Sequence, residues 1–325
     1  MANVIVKIIS NSEALPEMDC SNFFHSTDLF RIVEKTPGQR PYMAIAYDED
    51  GHILGHLLAI IRRRGSLFPP YFFTQGHIYG EGEYDEKADK TEVFGHLLTA
   101  ITRKFRRNLC LFAEFSDLSK KMFGYRHFRR NSYFPISWQE IHNSLHSMAP
   151  EDRLTGRQRR RIANIYKMGV ETREIESEEE LRGFYRLLKS HYRLKMRRLI
   201  PPVEQFVQFY KSESCKIFTT LYHGRIIGGC LCAFSEGDAY LWYLAAKRKT
   251  YPKAHPNFIT VWHALSYSYH HNYAHFYFLD AGLPWKAYPY REFILSFGGK
   301  PVAKYRWFRI SFSWVNRLLA WFYRE

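Results

Sequence analysis

The feature that most constrains this chain is an internal echo. Residues 215–246, CKIFTTLYHGRIIGGCLCAFSEGDAYLWYLAA, read as three consecutive antiparallel strands. Residues 216–222 and 225–234 are rich in β-branched and aromatic side chains and are split by the tight pair His223-Gly224. A second break, Ser235-Glu236-Gly237-Asp238, precedes a third strand at 239–246. A fainter copy lies at residues 41–61, where Asp50-Gly51-His52-Ile53-Leu54-Gly55 aligns with His223-Gly224-Arg225-Ile226-Ile227-Gly228. Gly51 and Gly224 are 173 positions apart, about one domain length. Two ordinary hairpins would also give this match, so the elements downstream of each copy must decide.

Those downstream elements agree. After the first copy the pattern predicts a strand at 71–78, an amphipathic helix at 91–108, a strand at 109–115 and a short Phe-rich segment at 121–128. After the second it predicts the strand 239–246, a helix at 256–273, a strand at 275–280 and a short helix at 290–297. Phe94, Leu97, Leu98, Ile101 and Phe105 share one helical face, as do Phe258, Trp262, Leu265 and Tyr269. The order β-β-β-α-β-α therefore occurs twice, which argues for tandem copies of one α/β fold.

Composition sets the outer limits. A length of 325 residues suits roughly two domains. Hydrophobic content of 46% supplies ample core, while no stretch approaches about 18 uninterrupted apolar residues, so no membrane-spanning helix is expected. The start, MANVIVKIIS, is a short alternating strand without the basic and long apolar stretches of a signal peptide. The five cysteines form no CxxC pair and suit small buried hydrophobes in a reducing, cytoplasmic setting. His52 and His56 share a strand face but lack a third ligand, and His270-His271 cannot face one ion from a helix, so no metal is expected. The formal charge of +15 favours a polyanionic partner: nucleic acid, a nucleotide-diphosphate substrate or an anionic membrane face.

The cations are clustered. In GRQRRRIANIYKMGVE, Arg157, Arg160, Arg161, Asn164 and Lys167 follow helical spacing and present a basic stripe, either a solvated face or a phosphate-binding one. The amphipathic helix at 178–193 runs into a basic loop, with Arg193, Lys195, Arg197 and Arg198 ahead of Pro201-Pro202, which opens another helix. Lys35 closes a short capped helix, where a cation complements the helix C-terminus.

The tandem halves, the boundary LTGRQRRRIANIYKMGVE and the segment LDAGLPWKAYPYREFILSFGGKPV resemble the FemABX-type aminoacyltransferases, which are duplicated GNAT-fold proteins. The resemblance covers nearly the whole chain. Its most specific part is Asp280-x-Gly282 with Tyr290-Arg291-Glu292-Phe293 and Phe297-Gly298-Gly299. It implies an α/β (α+β) architecture of two GNAT-like domains, each a mixed, mainly antiparallel sheet flanked by helices, with no coiled-coil arm. Boundaries are expected at 1–150 and 151–304, with a basic-aromatic tail at 305–325. The resemblance further implies acyl transfer to an amine of a cell-envelope precursor, with aminoacyl-tRNA as donor and no tightly bound cofactor. Acyl-CoA or a carrier-protein thioester is the alternative donor, and a non-catalytic RNA-binding module is a further alternative.

By the same resemblance, Lys35 and the loop cations Arg193, Lys195 and Arg197 are candidates for the substrate diphosphate, joined by Arg157, Arg160, Arg161, Lys247, Arg248 and Tyr290. Asp280 is the candidate for orienting the amine, though a turn residue before Gly282 explains it equally well. Ile294 stands where the family commonly has a lysine, so Arg291, Lys286 or Lys300 would have to supply that cation. The stretch after each central strand, Gly80-Glu81-Gly82-Glu83 or Lys247-Arg248-Lys249-Thr250-Tyr251-Pro252, lacks the basic Gly-rich turn that holds the pyrophosphate of CoA. The tail places Trp314, Val315, Leu318, Leu319 and Phe322 on one helical face, which suits either docking on the core or lying on an anionic membrane. Duplication within one chain makes a monomer the expected state.

Overall fold

The computed structural model describes residues 4–67, 70–116, 123–193, 200–279, 281–284 and 288–323. The chain begins with β1 (Ile5–Ile9), α1 (Thr27–Glu34), β2 (Gln39–Tyr47), β3 (Ile53–Leu67), β4 (Pro70–Tyr79), β5 (Glu83–Tyr84), α2 (Lys90–Arg107), β6 (Phe112–Ser116) and α3 (Tyr125–Arg130). It continues with β7 (Phe134–Ser144), α4 (Gly156–Lys167), β8 (Val170–Glu174), α5 (Glu178–Tyr192), α6 (Val203–Lys211), β9 (Cys215–Tyr222), β10 (Arg225–Ser235) and β11 (Asp238–Ala246). The last elements are α7 (Pro256–His270), β12 (His275–Phe278), α8 (Pro289–Leu295), β13 (Lys300–Ile310) and α9 (Ser313–Phe322).

Two compact units result. One comprises residues 1–138 with 303–325, and the other residues 139–302. The strand order in the first is β1-β2-β3-β4-β6-β13, antiparallel throughout except for the parallel pair β4·β6. In the second it is β8-β9-β10-β11-β12-β7, again antiparallel except for one parallel pair, β11·β12, at the same place. The echo in the sequence is thus a repeat of topology. In each unit the sixth strand comes from outside its own β-β-β-α-β run. Residues 139–144 of β7 complete the second sheet, and residues 303–310 of β13 complete the first.

This exchange moves the boundaries away from 150/151 and 304/305. The segment 305–325 is no separate tail but part of the first unit, because β13 pairs with β6 from Arg306↔Ser116 to Ile310↔Phe112. Trp307 is fully buried and stacks on Phe128 with ring centroids 4.4 Å apart and an interplanar angle of 7°. Fully burying one large side chain stabilises a core by about 1.5–3 kcal/mol, so this strand is held by its packing as well as its ladder.

Local chemistry sets the remaining elements. His223 and Gly224, at φ +48° and +70°, and Glu236 and Gly237, at +50° and +75°, form two-residue turns whose left-handed geometry matches the twist of the strands they join. Asp89 caps α2 by accepting the N–H groups of Thr91 and Glu92, and its buried face carries Phe94, Leu97, Leu98, Ile101 and Phe105. Its counterpart α7 packs Phe258, Ile259, Val261, Trp262 and Leu265 into the second core. Among the described residues no helix is long and apolar enough to cross a membrane, and no long helical arm is present.

Candidate functional site

The two units differ around their parallel pairs. In the first, β6 pairs with β4 up to Tyr79↔Ser116, and the Gly80 N–H then donates to the Ser116 carbonyl at 2.8 Å, which zips the pair shut. In the second, the described pairing of β11 with β12 ends at Leu241↔Phe278, while β11 continues to Ala246. The last described pair lies beside a β-bulge. Leu231 faces Tyr243 and Cys232 faces Leu241, so Trp242 is the extra residue. A bulge sharpens local twist and re-aims the strand beyond it. Trp242 and Tyr243 are fixed from behind by α6, through Phe209 (centroids 5.2 Å) and Phe206 (5.3 Å).

Cations gather where β11 ends. The Lys247 N–H donates to the Ile227 carbonyl at 2.8 Å and the Tyr251 N–H to the Lys247 carbonyl at 3.1 Å, closing a single turn that leaves Lys247, Arg248 and Lys249 exposed. His255 comes next in a left-handed conformation (φ +40°) ahead of α7, which has Pro256 in its first turn and no side-chain cap. Burial and then the charge of Arg161 lower the His255 pKa, so this imidazole is neutral at pH 7. The Arg161 guanidinium lies 5.5 Å from the centre of the Phe258 ring. Helix α4 is held in this position from its first turn. Thr155 and Gln158 form a capping box, and the Gln158 side chain also donates to the Ser296 carbonyl at 2.7 Å. Arg157 and Arg160 are exposed one turn or less before Arg161.

Arg157, Arg160, Arg161, Lys247 and Arg248 therefore all belong to the second unit, with Arg161 brought to the start of α7. The other sequence candidates separate from them. Lys35 is the exposed C-terminal cap of α1 in the first unit. Arg193 is the exposed cap of α5, and the Tyr185 hydroxyl reaches Pro201 O at 3.0 Å just beyond the basic loop. Tyr290 is half-buried on α8 and packs against Phe293. Arg291 donates to the carbonyls of Ala281 (3.2 Å), Pro284 (3.0 Å) and Leu283, so its geometry is that of a clamp on the loop after β12. Ile294 is fully buried, which explains an apolar residue there. Asp280, Lys195, Arg197, Arg198 and Lys286 lie outside the described residues.

The Phe297-Gly298-Gly299 signature has a packing role. The Asn143 amide donates to the Phe297 carbonyl at 2.8 Å, and a Cβ on Gly299 would stand 2.5 Å from Asn143 Oδ1.

Sequence reasoning missed two polar clusters on the sheet faces. In the second unit His275 Nδ1 meets Asp238 Oδ1 at 2.8 Å, and Tyr240 stacks on Tyr277 at 5.0 Å. Burial, then the nearby carboxylates, push both phenols far up. The Asp238–His275 pair sits four strand residues, about 13 Å, before the bulge, too far to serve a group held there. In the first unit Glu114 accepts from Gln75 (2.9 Å) and pairs with Arg306 (3.1 Å), beside His77. No spacing announces these groups, because strand pairing alone brings them together.

Six strands with one parallel pair and a helix crossing between its members, present twice, define a tandem GNAT fold, the fold of acyl-transferring enzymes. Residues 153–287, which lie within the second unit, match the family model described as an acetyltransferase (GNAT) domain. No curated protein matches the chain. In fold the chain is FemABX-like. The crystal structure of FemX superposes over 95% of this chain and 96% of its own, with a TM-score of 0.61 and 11% identity. A tandem GNAT protein from the clavulanic acid biosynthesis pathway covers 94% and 98%, with a TM-score of 0.55 and 8% identity. The C-terminal domain of a putative lysylphosphatidylglycerol synthetase from Agrobacterium fabrum covers 91% and 90%, with a TM-score of 0.56 and 12% identity.

Proposed function

We propose that the protein is an N-acyltransferase that moves an aminoacyl group from aminoacyl-tRNA to an amine of a phosphorylated or lipid-linked cell-envelope precursor, of the peptidoglycan type. The observation that carries this reading is the β-bulge that re-aims β11 at Trp242, beyond the last described pair with β12 and followed by the cations of residues 247–249, with those of α4 in the same unit. The neutral amine attacks the ester carbonyl, an amide C–N bond forms and the ester C–O bond breaks. The departing ribose oxygen takes up the proton that the amine loses. Backbone N–H groups re-aimed by the bulge at Trp242 are suited to the oxyanion. Support for an RNA-borne donor over acyl-CoA comes from the cations themselves. They are spread over a helix and a glycine-free turn, which suits a polyphosphate backbone and not a tight pyrophosphate cradle.

Helix α9 supports work at an anionic membrane surface. It docks on the first unit through Asn316, whose amide donates to Ser132 O at 2.9 Å, and through Tyr323, which stacks on Phe134. Phe312, Trp314, Leu318, Trp321 and Phe322 face outward, between 55% and 70% exposed. Arg317 is exposed on the same helix, and Arg129 and Arg130 close α3 just before Ser132. An aromatic face edged by arginines fits an interface rich in acidic lipids.

The test is incubation with charged tRNAs and, separately, with acyl-CoAs in the presence of envelope precursors, reading donor consumption by mass spectrometry. Deacylation of tRNA with amide product supports the proposal, and Arg160→Ala and Lys247→Ala should then raise the KM for donor or acceptor. Consumption of acyl-CoA alone replaces the donor. Salt-sensitive RNA binding without turnover of either donor overturns the enzymatic reading.

A further inference from the structure

The first unit holds a second group of chemistry-bearing side chains that acyl transfer does not use. His56 on β3 and Glu83 on β5 are direct cross-strand partners. Cys20, on the segment before α1, lies against both. Its Sγ is 3.7 Å from His56 Nε2, and Glu83 Oε2 is 3.3 Å from the same nitrogen. One ligand atom from each residue lies within 4.8 Å of the other two.

Their directions separate three interpretations. A nucleophilic relay would have the thiol on one imidazole nitrogen and the carboxylate on the other. Here both approach Nε2, and a single N–H there cannot point at both. A simple ion pair would align the carboxylate with the ring, yet Oε2 is buried without a hydrogen-bond partner. The other oxygen, Oε1, is already held by the Ser21 N–H (2.8 Å) and hydroxyl (2.7 Å), which leaves Oε2 aimed into the gap. The third interpretation is a shared ligand point. Bond lengths of about 2.0–2.3 Å at tetrahedral angles put ligand atoms about 3.3–3.6 Å apart, close to the separations around His56.

We propose that Cys20, His56 and Glu83 bind a zinc ion, with water as the fourth ligand. Thiolate, imidazole and carboxylate together are a donor set suited to zinc, and Ser21 acts as the outer partner that orients the carboxylate. The neighbouring His25 is not a ligand, because its two nitrogens already face the backbone nitrogens of Leu58 (3.1 Å) and Gly82 (3.0 Å) and are closed off by them. The ion fastens the segment that carries Cys20 to β3 and β5, and it is independent of the chemistry of the second unit.

The experiment uses the full chain without a metal-binding tag. Metal analysis of the purified protein should give close to one zinc per chain. A chelator should lower Tm, and added zinc should restore it. Cobalt in place of zinc should give a thiolate charge-transfer band that Cys20→Ser abolishes. Ser21→Ala should weaken zinc binding by about 10–100-fold while the protein stays folded. Protein that carries no metal, and whose Tm moves with neither zinc nor chelator, overturns the proposal and leaves a His56–Glu83 ion pair beside a free thiol. The wild-type readings decide the matter even if Cys20→Ser fails to fold.

Discussion

Glu114 is a carboxylate held charged inside the first unit. Burial opposes its ionisation, but His77 at 3.7 Å and the charges of Arg306 and Arg62 outweigh it and hold its pKa near 2. A carboxylate with a depressed pKa contributes stability that is complete above its unfolded value, about 4.5, and fades as pH falls toward 2. Glu114→Gln removes the buried carboxylate that pairs with Arg306, so we expect a loss of about 3 kcal/mol in urea unfolding at pH 7. The difference from wild type should shrink as pH falls from about 4.5 toward 2, where the unfolded chain binds a proton that the native carboxylate does not; a constant difference would exclude this role. Gly299→Ala is expected to cost about 1–3 kcal/mol, because its Cβ meets Asn143 Oδ1 at 2.5 Å and Ile141 Cγ2 at 2.6 Å. Neither effect is legible in the sequence: Glu114 and Arg306 are 192 residues apart, and Gly299 is short of space only because Asn143 stands opposite.

Helix α9 shows how far an amphipathic pattern can be read. The sequence places Trp314, Val315, Leu318, Leu319 and Phe322 on one apolar face. The fold divides that face, with Val315 and Leu319 half-buried and Trp314, Leu318 and Phe322 exposed. The best-buried residue of the helix is polar Asn316, which also accepts the Ile310 N–H at 2.7 Å. Trp314→Ser with Trp321→Ser should therefore leave the fold intact but reduce partitioning onto vesicles rich in acidic lipids at least about 10-fold, given about 1.5–3 kcal/mol for each large side chain fully buried. Equal sedimentation of variant and wild type with such vesicles would refute a lipid-facing role. Helix α4 lies at the other extreme. Its boundaries, cap and basic stripe are all local, so the sequence locates it well, and only the packing beside α7 singles out Arg161 from its neighbours.

The two units are each completed by a strand from elsewhere in the chain, which makes a direct prediction. A fragment ending at residue 150 lacks β13 and with it Trp307, so it should lack a cooperative unfolding transition. A fragment starting at 151 lacks residues 139–144 of β7 and should behave in the same way. Circular dichroism melts of both fragments test this, and a sharp transition in either would contradict the exchange. The sequence alone determined the repeated β-β-β-α-β-α order, the hairpins at His223-Gly224 and 235–238, the helix at 256 and the cationic composition. These arise from alternation, helical spacing and turn chemistry within about 20 residues of chain. Tertiary structure alone decided which strand closes each sheet, that β11 bulges at Trp242, and that Cys20, His56 and Glu83 meet. A strand's own residues fix its pleat but not its neighbour: backbone hydrogen bonds are the same for every partner, and the choice falls to side chains packed from distant parts of the chain.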